Sequence, residues 1–191
     1  KFVPAETNEN KVYFAHYEAN QSYLQTVSKG ISYNPAMLPQ IIMYNEYFGG
    51  GMNAIVFQEL REKRGLAYTA RSSYSAPSNP DENYLNNSFI ATQNDKIVDA
   101  FNAFNELFNE IPLSENAFNL AKEQLISYFS TQRIRNAAII FNYLNNSKMG
   151  HKTDPRKKYL EVIPGLTLND VKAFNEKYVK NKAKTYVILG N

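Results

Sequence analysis

The sequence predicts an α+β fold: a mostly antiparallel β-sheet with several α-helices packed on one face. Three observations carry this expectation. Strand-like stretches stand near the start, in the middle ("LAYTARSSYSA", "YLNNSFIATQ") and at the end ("AKTYVILG"). Between them, apolar residues recur at the three-to-four spacing of helices. The resulting order is strand, strand, helix, helix, strand, strand, several helices, strand, and this is not the strict alternation of βαβ units.

Taken in order, residues 1–10 read as a linker, because Pro4, Glu6, Asn8 and Asn10 surround few apolar positions. Residues 11–191 are then expected to form one domain. The chain opens Lys1-Phe2-Val3-Pro4 without a Met, and is read as a piece of a longer protein. "KVYFAHYEA" alternates Val12 and Phe14 with Tyr13 and Ala15, which suits a half-buried strand. "SYLQTVSKG" offers a second strand. The short polar join from Glu18 to Gln21 suggests that the two pair as a hairpin.

Asn34 and Pro35 supply a cap and a first-turn proline for a helix whose apolar face holds Met37, Leu38, Ile41 and Ile42. The glycines at 49–51 break it. A second helix is expected with Met52, Ile55, Val56 and Leu60 on one stripe. It ends at Gly65, with Arg61, Lys63 and Arg64 in its last turn, where cations suit the helix dipole. The two middle strands follow, separated by the turn-rich Pro77–Asn83. Asp95 opens a helix with Ile97, Val98, Phe101, Phe104, Leu107 and Phe108 inward, and Pro112 stops it. Ser114 caps the next, with Phe118, Ala121, Leu125 and Phe129 inward. A further helical run, 136–149, shows Ala137, Ile140, Phe141 and Leu144. Thr167 caps the last helix, through Val171, Phe174 and Tyr178.

Composition excludes several classes. The charge of +3, from 21 basic and 18 acidic residues, is too weak to argue for nucleic-acid binding. No apolar run reaches the about 18 residues of a membrane span. With no Cys there is neither a disulfide framework nor a thiolate metal site. That composition suits a cytoplasmic and a periplasmic home equally, and leaves the compartment open with a slight lean to the bacterial periplasm. His16 and His151 belong to no H-E-x-x-H or H-x-x-E-H motif, where two imidazoles one helical turn apart share a zinc ion. No Gly-Lys-Ser/Thr follows the glycines, and no G-x-S-x-G elbow is present. The chain alone is expected to bind no metal and to be inactive.

One stretch carries more. "YFGGGMNAIVFQELREKRGLAY", Tyr47 to Tyr68, places a glycine-rich loop, a short helix and "LREKRGLAY" in succession. It resembles the signature of the non-catalytic domain of the insulinase/pitrilysin zinc metallopeptidases, the inverzincins. The opening strands and the terminal "TYVILG" also look like that domain, so the likeness extends over essentially the whole chain. It implies a half-shell of sheet and helices that lacks the zinc motif. It implies that zinc belongs to a sister domain bearing H-x-x-E-H, in the same parent chain or in a partner subunit. The two halves would enclose a chamber that admits peptides or unfolded polypeptide. The likeness also implies that Arg61 and Tyr68, seven positions apart, reach across the cleft to the substrate at the zinc site. Apart from the resemblance, Arg61 reads as a helix-end cation and Tyr68 as strand packing. Gly49, Gly50 and Gly51 read either as a substrate loop or as a tight turn. The alternative to a substrate-binding peptidase domain is a catalytically dead structural or binding module of the same fold.

Overall fold

The computed structural model describes residues 4–191. Residues 1–3 of the expected linker lie outside the described residues. Five strands among the described residues form one sheet: β1 (Lys11–His16), β2 (Gln21–Ser32), β3 (Thr69–Ser75), β4 (Asn83–Gln93) and β5 (Thr185–Gly190). Their order is β1-β5-β2-β4-β3. Only β1 and β5 run parallel; every other pair is antiparallel. The helices are α1 (Leu38–Phe48), α2 (Ile55–Phe57, continued by a π turn over Gln58–Lys63), α3 (Ile97–Asn109), α4 (Glu115–Thr131), α5 (Ile139–Lys148), α6 (Pro155–Val162) and α7 (Leu168–Tyr178). The architecture is the expected α+β one.

Burial shows which face the helices cover. Leu24, Thr26 and Ser28 of β2, Ala70, Ser72 and Tyr74 of β3, and Tyr84, Asn86, Ser88 and Ile90 of β4 are buried, every second residue on each strand. Their neighbours on the opposite face are half-buried or exposed, apart from the buried Ala91. Aromatic rings fill the layer between sheet and helices, as a chain without Trp requires. Tyr44 packs against Phe174 at 4.7 Å, Phe104 against Phe108 at 4.7 Å, and Tyr74 edge-on to Phe174 at 5.3 Å. Buried phenols find acceptors: Tyr44 donates to Asn175 Oδ1 (3.0 Å) and Tyr47 to Pro112 O (2.7 Å).

Local signals for helix ends act as read. The Asn34 side chain accepts from Ala36 N, and Ser114 from Ala117 N. Thr167 and Asp170 form a full capping box at the start of α7. α6, which the sequence does not announce by periodicity, begins with an Asp154 cap and Pro155.

Three expectations are corrected. β1 and β2 do not pair as a hairpin. β5 lies between them, parallel to β1 (Tyr13↔Val187) and antiparallel to β2 (Gln25↔Val187). Two strand spacings are roughly 10 Å, which the join between Glu18 and Gln21 spans by passing over the end of β5. There Tyr17 N donates to Gly190 O at 2.8 Å. A Cβ at residue 190 would stand 2.3 Å from Ser22 Oγ, so glycine lets the end of β5 lie close against the start of β2. Second, β1 is not half-buried: all six of its residues are exposed, because it lies on the sheet margin beyond β5. Third, Met52 and Val98 do not face inward. Met52 precedes α2, which begins at Ile55, and Val98 lies on the outer side of α3; both are exposed.

Candidate functional site

The helix that carries Arg61 changes pitch as it reaches it. From Gln58 to Lys63 the backbone adopts a π turn, and Arg64 N donates to Glu59 O, five residues back, at 3.2 Å. The C-terminal cap is correspondingly one residue wider than the ordinary Schellman pattern. Gly65 N reaches Arg61 O (3.2 Å) and Leu66 N reaches Leu60 O (2.8 Å), while Gly65 takes a left-handed φ of 57°. Leu60 remains fully buried and anchors the turn from inside. Gly65 then redirects the chain so that Tyr68 stands immediately before β3, where its N–H donates to Ala91 O at 2.9 Å.

The result brings Arg61 and Tyr68 together. The Arg61 guanidinium lies over the Tyr68 ring at 5.7 Å and over the Phe57 ring at 4.8 Å. Its Nε stands 3.6 Å from the Glu62 carboxylate. Tyr68 is 69% exposed, an unusual exposure for a large ring that holds a fixed place beside a cation. The pair is therefore an adjacent, outward-facing couple of one phenol and one guanidinium. Phe57 is the member that sequence reading does not single out. Its position four residues before Arg61 places both on one face of the helix, and that spacing is the signal that finds it.

The glycines stand apart from this couple, at the end of α1. Gly49 lies directly against β3: Ser72 N donates to Gly49 O at 3.3 Å, and a Cβ at residue 49 would meet Ser72 O at 2.2 Å. A Cβ on Gly50 would stand 2.9 Å from Asn45 O. Gly51 has only a Glu46 carboxylate oxygen, at 4.0 Å, near such an atom. Close backbone approach thus demands glycine at 49 and 50 and not at 51. Burial pushes the Glu46 carboxyl above the usual carboxylate range.

Beside Gly49, Asn45 forks onto the outer edge of β3. Its Oδ1 accepts from Tyr74 N (2.7 Å) and its Nδ2 donates to Tyr74 O (3.1 Å). Together with Gly49 O, this side chain satisfies edge groups that a further strand would otherwise use.

His16 is exposed on β1, and His151 Nε2 lies 3.3 Å from the Tyr33 hydroxyl far along the chain. Among the described residues no three His, Cys, Asp or Glu side chains gather as a metal site. No described helix is long and apolar enough to cross a membrane.

A layer of helices on one face of a mostly antiparallel sheet is an α+β architecture, and solved structures show the same fold. The peptidase M16 inactive domain from Pseudomonas fluorescens superposes with a TM-score of 0.80 at 20% identity, over 99% of this chain and 45% of that one. A protease from Helicobacter pylori gives 0.79 at 13% identity, over 97% and 45%. The periplasmic protease PqqL from Escherichia coli gives 0.69 at 12%, over 95% and 20%. The chain thus spans less than half the length of these structures. No curated protein sequence matches it. Residues 1–125 match the peptidase M16 inactive domain family, and the chain belongs to that family.

Proposed function

We propose that this chain is the substrate-binding, zinc-free domain of a zinc metalloendopeptidase, and that it contributes Arg61 and Tyr68 to an active site completed by a sister domain. The observation that carries this is the Arg61–Tyr68 couple, held by a π turn and a left-handed glycine and turned outward. The zinc, with the activated water it supplies, belongs to the sister domain with its H-x-x-E-H helix. Peptide or unfolded polypeptide is the substrate.

The roles follow from donor chemistry. The Tyr68 phenol donates a hydrogen bond to the peptide carbonyl oxygen as negative charge gathers there. A donor placed at a developing oxyanion is worth about 3 kcal/mol. The Arg61 guanidinium has five N–H donors and no acceptor, so it holds a substrate backbone carbonyl and fixes register. Its contacts with the two rings restrain the side chain before substrate arrives, which lowers the ordering cost of binding.

The test is peptide hydrolysis by the full-length protein, together with its catalytic partner if that is a separate subunit. Tyr68→Phe is expected to lower kcat about a hundredfold or more, and Arg61→Ala to lower kcat/KM strongly. Wild-type rates in both variants overturn the assignment and favour a structural module.

A further inference from the structure

On the reading that this domain faces a peptide, we propose that the open face of its sheet carries a subsite for an acidic side chain of the substrate, built on Arg71 and Phe89. The helices cover one face of the sheet and leave the other open over its central strands. Register places Gln25, Phe89 and Arg71 side by side on that open face, from β2 to β4 to β3. The Arg71 guanidinium lies over the Phe89 ring at 5.1 Å, and Phe89 in turn stacks with Tyr23 at 6.1 Å. The cation is thus seated on a platform fixed by three strands.

A cleft of about 480 Å³ opens above it, between this row and the Gly49–Gly50 turn. That size lies within the range of small-ligand sites. Ser73, Ser75 and Asn87 line it with hydroxyls and an amide, and no acidic residue is among its lining groups. The arginine ion pairs of the described residues join Arg61 to Glu62, Arg64 to Glu106 and Arg156 to Asp154, and none includes Arg71. Arg71 therefore presents a planar fork of donors, already oriented, to a cleft without a counter-charge. A carboxylate is the group that fits such a fork.

The edge of β3 determines how a peptide reaches it. Gly49 O and the Asn45 side chain already take the edge groups of Ser72 and Tyr74. A peptide cannot add there as another strand. It crosses the open face instead, and contacts the sheet through side chains, so recognition depends on side-chain chemistry rather than on a main-chain ladder.

End-blocked, fluorescent decapeptides that differ only by Glu or Gln at one internal position test this on the full-length protein, by anisotropy and by cleavage rate. The Glu peptide is expected to bind about tenfold more tightly, the scale of one charge-assisted pair. Arg71→Gln should abolish that preference, weakening the Glu peptide far more than the Gln peptide. Arg71→Lys should restore part of it. Arg71→Glu should reverse it toward a Lys-bearing peptide. A Glu preference that survives in Arg71→Gln overturns the proposal, as does equal binding of Glu and Gln peptides by the wild type. A preference that follows a free C-terminal carboxylate instead of the internal Glu also overturns it. Anisotropy reads the subsite even if no cleavage occurs, whereas loss of the Arg61 and Tyr68 roles shows in rates on both peptides alike.

Discussion

α1 and α5 look alike in sequence and are opposite in the fold. Each shows apolar residues at helical spacing. In α1, Leu38, Ile41, Met43, Tyr44, Tyr47 and Phe48 are buried. In α5 no residue is buried, and Ile140, Phe141 and Tyr143 are 67%, 73% and 70% exposed. The difference lies in their neighbours. α1 is tied to distant parts of the chain by the Tyr44–Asn175 and Tyr47–Pro112 hydrogen bonds and by the Asn45 fork on β3. α5 is bounded by the 132–135 segment and the left-handed Gly150, and its Asn142 amide bonds only within its own helix, to Ala138 O. Periodicity identifies a face; it does not say what covers it.

The largest expected effect breaks the buried member. Phe48→Ala removes a buried ring packed between Tyr44 (5.3 Å) and Phe108 (5.9 Å) and should cost about 3–5 kcal/mol in denaturant unfolding. A cost under 1 kcal/mol would mean that α1 is no better covered than α5.

Next comes a charge inside the buried layer. Lys184 is 3% exposed, its ammonium lies over the Phe108 ring at 4.6 Å and donates to Lys182 O, and burial lowers its pKa from 10.5 to about 8. A group lowered in the folded state is protonated in the unfolded chain and neutral in the folded one between these values. Stability should therefore rise as pH increases from about 8 toward 10.5. Burial raises several tyrosines, Tyr84 and Tyr159 among them, and this works the other way above pH 10. The rise is thus best read below that pH, as the difference from Lys184→Met. That variant should gain roughly 1–3 kcal/mol at pH 7 and lose the slope. A slope unchanged in Lys184→Met refutes the assignment.

Asn45→Ala leaves the Tyr74 N–H and C=O without partners and should cost about 1–3 kcal/mol; hydrogen exchange at Tyr74 is expected to quicken with it. Smallest of all, Phe141→Ser on α5 should change stability by less than about 0.5 kcal/mol. A loss above 1.5 kcal/mol in the full-length protein would show that α5 is covered there.

The same contrast explains what the sequence disclosed. Helix starts were legible because Asn34, Ser114 and Thr167 act on backbone groups two or three residues away. Strand neighbours were not. The pairing of β1 with β5 joins residues more than 170 positions apart, and a short join between β1 and β2 contains no trace of the strand that enters between them. Arg61 and Tyr68 were legible only as parts of a motif, since seven positions do not by themselves imply contact; the π turn and Gly65 supply it. Arg71 carries no sequence signal, because one arginine in an alternating strand looks like any solvated charge.

The Asn45 fork has a consequence for assembly. A sheet ordinarily ends in two raw margins, and a chain that can pair at both can propagate without limit. Here a side chain on α1 stands where another strand would dock, so the β3 margin is closed at its centre while β1 stays bare. Strand addition at the β3 margin would first have to break contacts the chain makes with itself, at Ser72 N and at both backbone groups of Tyr74.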